Sequence, residues 1–192
     1  MTADMAKART EHLLALYYGY AAAAAIADAP PTPDALDVLS NSLALLAPES
    51  SQPLEPWSAV DHTRWFIPNS REPVAPLFEG YYRDNARNVL MEELLRFYQH
   101  FELKISSEDC GRLPDELPLQ LECMQYLVWR ELAASTDSAE QGAAQAYARA
   151  RREFTTRHLG YLDQIIVRLQ QDPSATMACA AFSAIRALTQ MT

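Results

Sequence analysis

Glycine is scarce in this chain, at five of 192 positions, which argues against a sheet-rich fold whose tight turns draw on its positive-φ freedom. Cysteine is sparse as well: Cys110, Cys123 and Cys179 are odd in number, with no CxxC pairing. That excludes a disulfide framework and predicts reduced thiols in a cytoplasmic protein. The four histidines, His12, His62, His100 and His158, are scattered, with no HExxH and no Cys/His cluster. No metal site and no resident cofactor is therefore expected. No stretch approaches the roughly eighteen unbroken apolar residues of a membrane span. The uncharged segment from Leu13 to Ile26 has no basic cluster before it and continues an amphipathic pattern, unlike an export leader.

Catalytic signatures are missing too. There is no Gly-x-Ser-x-Gly elbow and no phosphate-cradling glycine loop. Cys110 follows Glu108 and Asp109, and Cys123 follows Glu122; neighbouring carboxylates raise a thiol pKa rather than activate it. No catalytic residue is assigned. The net charge of −9 repels nucleic-acid phosphates and favours basic partners.

What is present points to helices. Hydrophobic residues make up 49% of the chain, with alanine abundant, and the length suits one domain spanning 1–192. The expected fold is all-α, a globular bundle of about eight to ten helices. A first helix from about Thr2 to Asp28 carries Leu13, Leu16, Tyr17, Tyr20 and Ala24 on one face and is stopped by Pro30, Pro31 and Pro33. Thr32 or Asp34 caps the next, Ala35 to Leu46. A Pro- and Ser-rich loop, Pro48 to Pro56, follows. Further helices are predicted over Asn85 to Leu103, from Leu117 to about Ala134, from a cap at Asp137 or Ser138 through to Gln171, and from a Ser174 cap over Ala175 to Met191. Gly111 marks a turn.

The chain is organised around Leu113 to Leu132. Leu117, Leu121, Met124, Leu127, Val128 and Leu132 fall at helical spacing and form one buried stripe. Pro118 suits the first turn. Asp115 and Glu116 sit at the positive end of the helix dipole, with Asp115 a candidate N-cap. The pair reads either as a cap or as an acidic rim.

A second block runs Asp61-His62-Thr63-Arg64-Trp65-Phe66-Ile67-Pro68, then a loop, then Val74-Ala75-Pro76-Leu77-Phe78-Glu79-Gly80-Tyr81-Tyr82-Arg83. Its aromatics read as core or as the walls of a groove whose rim is polar. A third, Phe154-x-x-x-His158-Leu159, lies on an apolar face, where a histidine is more often a satisfied core residue than a ligand.

Together the blocks resemble the TorD/DmsD/NarJ family, the cytoplasmic chaperones of molybdenum enzymes. Leu-Pro-Asp-Glu-Leu-Pro at 113–118 is similar to the family's Leu-Pro-Asp-His-Leu-Pro, with Glu116 in place of histidine. The aromatic block matches in order and spacing, with Leu77 replacing a proline. The resemblance implies a binding function without catalysis: a chaperone that holds the apo catalytic subunit of a molybdopterin oxidoreductase, or its N-terminal or twin-arginine signal, until cofactor insertion. It also implies a monomer or a domain-swapped dimer with a hinge near 106–118. On that reading Trp65, Leu77, Phe78 and Tyr82 line a groove, with Asp115 and Glu116 at its rim. A non-enzymatic helical adaptor is the alternative.

Overall fold

The structure, a computed structural model, describes residues 3–50, 52–68, 72–84, 86–104, 111–136 and 141–191. Among them the chain is all-α. The helices are α1 (Ala3–Asp28), α2 (Pro33–Leu46), α3 (Ala59–Phe66), α4 (Arg87–His100), α5 (Leu117–Thr136), α6 (Gln141–His158), α7 (Leu162–Gln170) and α8 (Thr176–Gln190). Their number agrees with expectation. None of the described helices is long and apolar enough to cross a membrane.

Helices α1 and α5 lie against each other with opposite sense. Arg9 near the start of α1 donates to Glu131 near the end of α5 at 3.2 Å, while Arg112, just before α5, reaches Asp28 at the end of α1 at 2.5 Å. Helix α2 packs on the other side of α1, α6 on α5, and α7 and α8 form a pair that closes against α2. The core fills the space between these layers. Leu16, Tyr20 and Ile26 of α1 are fully enclosed with Leu39 of α2, Leu121, Met124, Leu127 and Val128 of α5, and Phe182, Ile185 and Leu188 of α8. Each such side chain stabilises the fold by about 1.5–3 kcal/mol through the apolar surface it removes from water.

Local chemistry sets the ends. The Thr32 hydroxyl accepts from the Ala35 amide at 3.2 Å, as expected of an N-cap, and Pro33 fills the first helical position. Gly111 has φ of 110°, a conformation that side-chain-bearing residues avoid.

Two boundaries differ from the pattern-based reading. The long helix expected to reach Gln171 is two: α6 ends at His158, the chain turns through Gly160, and α7 restarts at Leu162. Leu159 and Tyr161 are both buried on either side of that turn, and burying both while glycine weakens the helix breaks it. Ser174 does not cap the last helix. Asp172 accepts from the Ser174 amide at 2.9 Å and its hydroxyl at 2.7 Å, capping the short turn Pro173–Ala175 that leads into α8. The predicted cap at Asp137 or Ser138, and residues 106–110 of the expected hinge, lie outside the described residues.

Candidate functional site

The three sequence blocks are far apart in the chain and meet in space. The backbone of segment 77–79 runs antiparallel to 115–117: the Glu79 amide donates to the Asp115 carbonyl and the Leu117 amide to the Leu77 carbonyl, each at 2.9 Å. Phe78 and Glu116 form the bridge between those bonds. The chain turns just before α5, the Glu116 amide donating to the Leu113 carbonyl at 3.0 Å, and Pro118, which has no amide hydrogen, stands in the first turn of the helix, where none is needed. Tyr98 of α4 donates to the Pro114 carbonyl at 2.8 Å and fixes the same loop from behind.

Under this strip lies a sealed polar network. Glu79 has no solvent exposure. Its carboxylate accepts from Gln120 Nε2 at 2.6 Å, pairs with Arg83, and lies 3.2 Å from Nδ1 of His158 through both oxygens. Tyr161 donates to Gln120 Oε1 at 2.9 Å, so α5, α6 and the turn after α6 are all tied to one carboxylate. A buried carboxylate persists only when its acceptor sites are filled by donors in this way. His158 is thereby a satisfied core histidine.

Asp115 differs from its expected place. It is neither the N-cap nor on a rim: its exposure is 0%. The carboxylate accepts from the Gly80 amide at 3.1 Å and from Arg87 at 3.2 Å through both oxygens. A Cβ at position 80 would stand 2.8 Å from Asp115 Oδ2, so only glycine lets the two strips approach this closely. The residue before α5 is Glu116, half-buried, whose side chain turns back to accept from the Leu113 amide at 2.9 Å. The arginine that Asp115 pairs with is the chain's own.

Of the predicted aromatic and apolar lining, Trp65 has 0% exposure and Leu77 5%; both belong to the core. Trp65 packs with Trp57 and Phe66, and Phe66 stacks on Phe182. Phe78 and Tyr82 are half-buried and accessible. The Arg87 guanidinium lies 5.6 Å from the Phe78 ring centre. Tyr82 stacks on Tyr161 at 5.5 Å and meets Tyr81 edge-on. Burial pushes the Tyr82 hydroxyl pKa well up.

Pattern reading missed the neighbouring α7 face. Arg168 stacks over Tyr81 at 4.8 Å and Tyr82 at 5.7 Å, and donates to the Val74 carbonyl at 3.2 Å. Beside it an open depression of about 830 Å³ is lined by Val74, Gln164, Val167, Arg168, Asp172 and Pro173 among others. The signal was Val167, an apolar residue lying off the buried stripe of Leu162, Ile165 and Leu169; it is 52% exposed.

Glu79 and Asp115 are enclosed by donors and cannot meet a substrate. Burial pushes the Cys123 and Cys179 thiols up, away from the reactive thiolate. Among the described residues no group of three His, Cys, Asp or Glu side chains is placed to hold a metal ion.

The chain is 38% identical over 101 residues to the selenate reductase assembly chaperone protein of Thauera selenatis, covering 52% of this chain and 50% of that one. It is 34% identical over 84 residues to the chlorate reductase assembly chaperone protein of Ideonella dechloratans, covering 43% and 42%. With the perchlorate reductase assembly chaperone protein of Dechloromonas aromatica (strain RCB) it shares 35% identity over 95 residues, covering 49% and 41%. The matched stretch thus spans about half or less of the length of each of these relatives. No solved structure gives a significant match. The model of the nitrate reductase delta subunit family matches residues 27–166, a range that holds all three blocks and the network joining them, and the chain belongs to that family, whose NarJ/TorD-type members are the assembly chaperones its sequence resembles.

Proposed function

We propose that this protein is a cytoplasmic maturation chaperone, not an enzyme. It binds the apo catalytic subunit of a molybdopterin oxidoreductase, through that subunit's N-terminal segment, during cofactor insertion and before export. The observation that carries this reading is the convergence of the family-like blocks on one strip, which leaves Phe78 and Tyr82 half-buried over the hydrogen-bonded Glu79 and Asp115 carboxylates. An aromatic surface held in place by buried hydrogen bonds loses little conformational entropy when a partner covers it.

In this reading Phe78 and Tyr82 touch the client, with Tyr81, Arg168 and the depression beside α7 extending the surface. Glu116 borders it. Trp65, Leu77 and Asp115 act through position: they hold the strip that presents Phe78. A client segment with apolar side chains and a basic end fits a surface of aromatic walls on a chain of net charge −9. The chain acts as one domain, and the oligomer is a monomer or a domain-swapped dimer.

Calorimetric titration with the N-terminal peptide of a molybdenum-enzyme catalytic subunit from the same genome tests this at two salt concentrations. Saturable, salt-weakened binding that is lost in a folded Phe78→Ala variant supports both function and site. Binding that survives Phe78→Ala keeps the function and moves the site. No binding to the peptide or to the intact apo-subunit overturns the reading.

A further inference from the structure

Helix α5 has a second outward face, carrying Trp129 and Arg130. Trp129 is 48% exposed, which is large for a tryptophan that adds nothing to the core; its ring touches only the Tyr126 ring among the aromatic contacts of the described residues. Beside it the Arg130 guanidinium lies 5.1 Å from the Tyr147 ring of α6, and 5.9 Å from both the Tyr126 and Trp129 rings. Arg130 Nη1 donates to the Tyr126 hydroxyl at 3.3 Å, and that hydroxyl donates to the Phe101 carbonyl at 3.2 Å. The guanidinium is therefore fixed in space by rings from two helices.

Its charge is unanswered. Arg9, Arg87, Arg151, Arg157 and Arg186 each stand within ion-pair distance of a carboxylate. No carboxylate among the described residues stands within that distance of Arg130, whose polar partner is a neutral hydroxyl. One turn from Arg130 and Tyr147 stand Leu127, Ala133, Ala134, Ala143, Ala144 and Ala150, and the adjacent acid of α5, Glu131, is buried and pairs with Arg151 and Arg9. In a chain of net charge −9, this is a local positive site with a pre-oriented fork of donors and an exposed indole at its side. Arginine and tryptophan so arranged are the residue types that dominate binding hot spots, and stacking on rings removes part of the entropy cost of holding the fork still.

We infer that Trp129 and Arg130 form a second docking surface, separate from Phe78 and Tyr82, for an acidic–apolar segment of the client subunit. An aspartate or glutamate of that segment pairs with the Arg130 fork, and an adjacent apolar side chain covers the Trp129 ring. This contact differs in kind from the first: there aromatic rings face the client, here the Arg130 fork faces a carboxylate. The choice of occupant rests on the chaperone reading.

The test is titration of the purified chain with the purified intact apo-subunit, using Trp129→Ala, Arg130→Gln, Arg130→Lys and Phe78→Ala variants. Trp129→Ala removes an exposed ring and leaves the melting temperature unchanged, so it remains informative if Arg130→Gln loosens the α5–α6 contact. About tenfold weaker binding for Trp129→Ala and for Arg130→Gln is expected, with a smaller loss for Arg130→Lys, which keeps the charge but not the fork. The two losses combine less than additively with each other and additively with Phe78→Ala. Wild-type affinity in both Trp129→Ala and Arg130→Gln, with binding still lost in Phe78→Ala, overturns this inference and leaves the chaperone reading standing. If the wild-type chain does not bind the apo-subunit at all, both fail together. A dimer in light scattering that Trp129→Ala converts to monomer overturns it as well, by making a second copy the occupant.

Discussion

Glu79 and His158 are 79 residues apart in the chain and touch in its interior, the imidazole Nδ1 lying 3.2 Å from both carboxylate oxygens. Neither residue is more than 1% exposed. The pair joins the aromatic strip to the end of α6, and Gln120 and Arg83 fill the remaining acceptor positions of the carboxylate. Glu79→Gln keeps the shape but replaces an acceptor-only group with one that carries its own donors. Arg83 loses its charge partner there, and one of the donors facing the carboxylate loses its acceptor. The expected loss is about 3 kcal/mol or more of unfolding free energy, in the range for breaking one side of a buried charged network. Urea unfolding monitored by far-UV circular dichroism measures it, and a loss below about 1 kcal/mol contradicts the network's structural role.

Asp115→Ala is expected to destabilise the fold by about 2–3 kcal/mol, because the buried Gly80 amide loses its acceptor and Arg87 its partner. Gly80→Ala acts on the same contact from the other side, driving a methyl to 2.8 Å from Asp115 Oδ2. Because both variants break one contact, the double variant should cost less than the sum of the single changes. Additive losses in chemical denaturation would show the two positions to be independent.

Periodicity and capping rules made the helices legible, since α1, α2, α4, α5 and α8 each bury a stripe visible at helical spacing, and α1, α2, α5 and α8 have proline or a hydroxyl cap near one end. The site was half legible. Phe78 and Tyr82 are half-buried, between the core and groove-wall readings of their block, and Leu117 to Leu132 lies in the central helix. Leu77 and Asp115 are interior because a residue's class does not say which way a non-helical segment faces, and Trp65 is interior on the buried face of α3, a short helix that pattern reading missed. An isolated carboxylate beside proline reads as a cap until its hydrogen-bond partner, here an amide 35 residues away, is known. Glu79 was hidden for the same reason: its partners come from α5 and α6, and no local pattern announces a buried acid. The break at Gly160 was missed because the apolar stripe continues across it.

Glu131 and Arg151 pair at 2.8 Å with 4% of either side chain exposed, and Arg9 adds a second contact from α1. Glu131→Ala leaves the Arg151 charge enclosed and is expected to cost about 3–5 kcal/mol. Replacing both, Glu131→Leu with Arg151→Met, removes the desolvation cost as well as the attraction, so the double variant should lie within about 1 kcal/mol of wild type or above it. A double-mutant cycle by chemical denaturation checks this, and a double variant as weak as Glu131→Ala alone contradicts it.

His62 sits at 3% exposure, stacked on Trp57, with its Nδ1 accepting from the Trp57 indole N–H at 3.3 Å. That bond requires the neutral ring with its proton on Nε2. Burial lowers the His62 pKa below its ordinary 6.5, against a smaller opposing pull from Asp28. In the window between the lowered folded value and 6.5 the unfolded chain therefore binds more protons than the folded one, so stability rises with pH there. The contribution is fully present above about pH 6.5 and declines as the pH falls through that value, levelling once the folded-state ring also protonates. His12 is shifted the same way, so wild type alone does not isolate the effect. Comparing urea midpoints of wild type and His62→Phe between about pH 8 and pH 5 does: the variant is less stable at the alkaline end, having lost the Trp57 acceptor, and its midpoint falls less steeply on acidification. Parallel pH profiles for the two proteins would show that His62 does not titrate with folding.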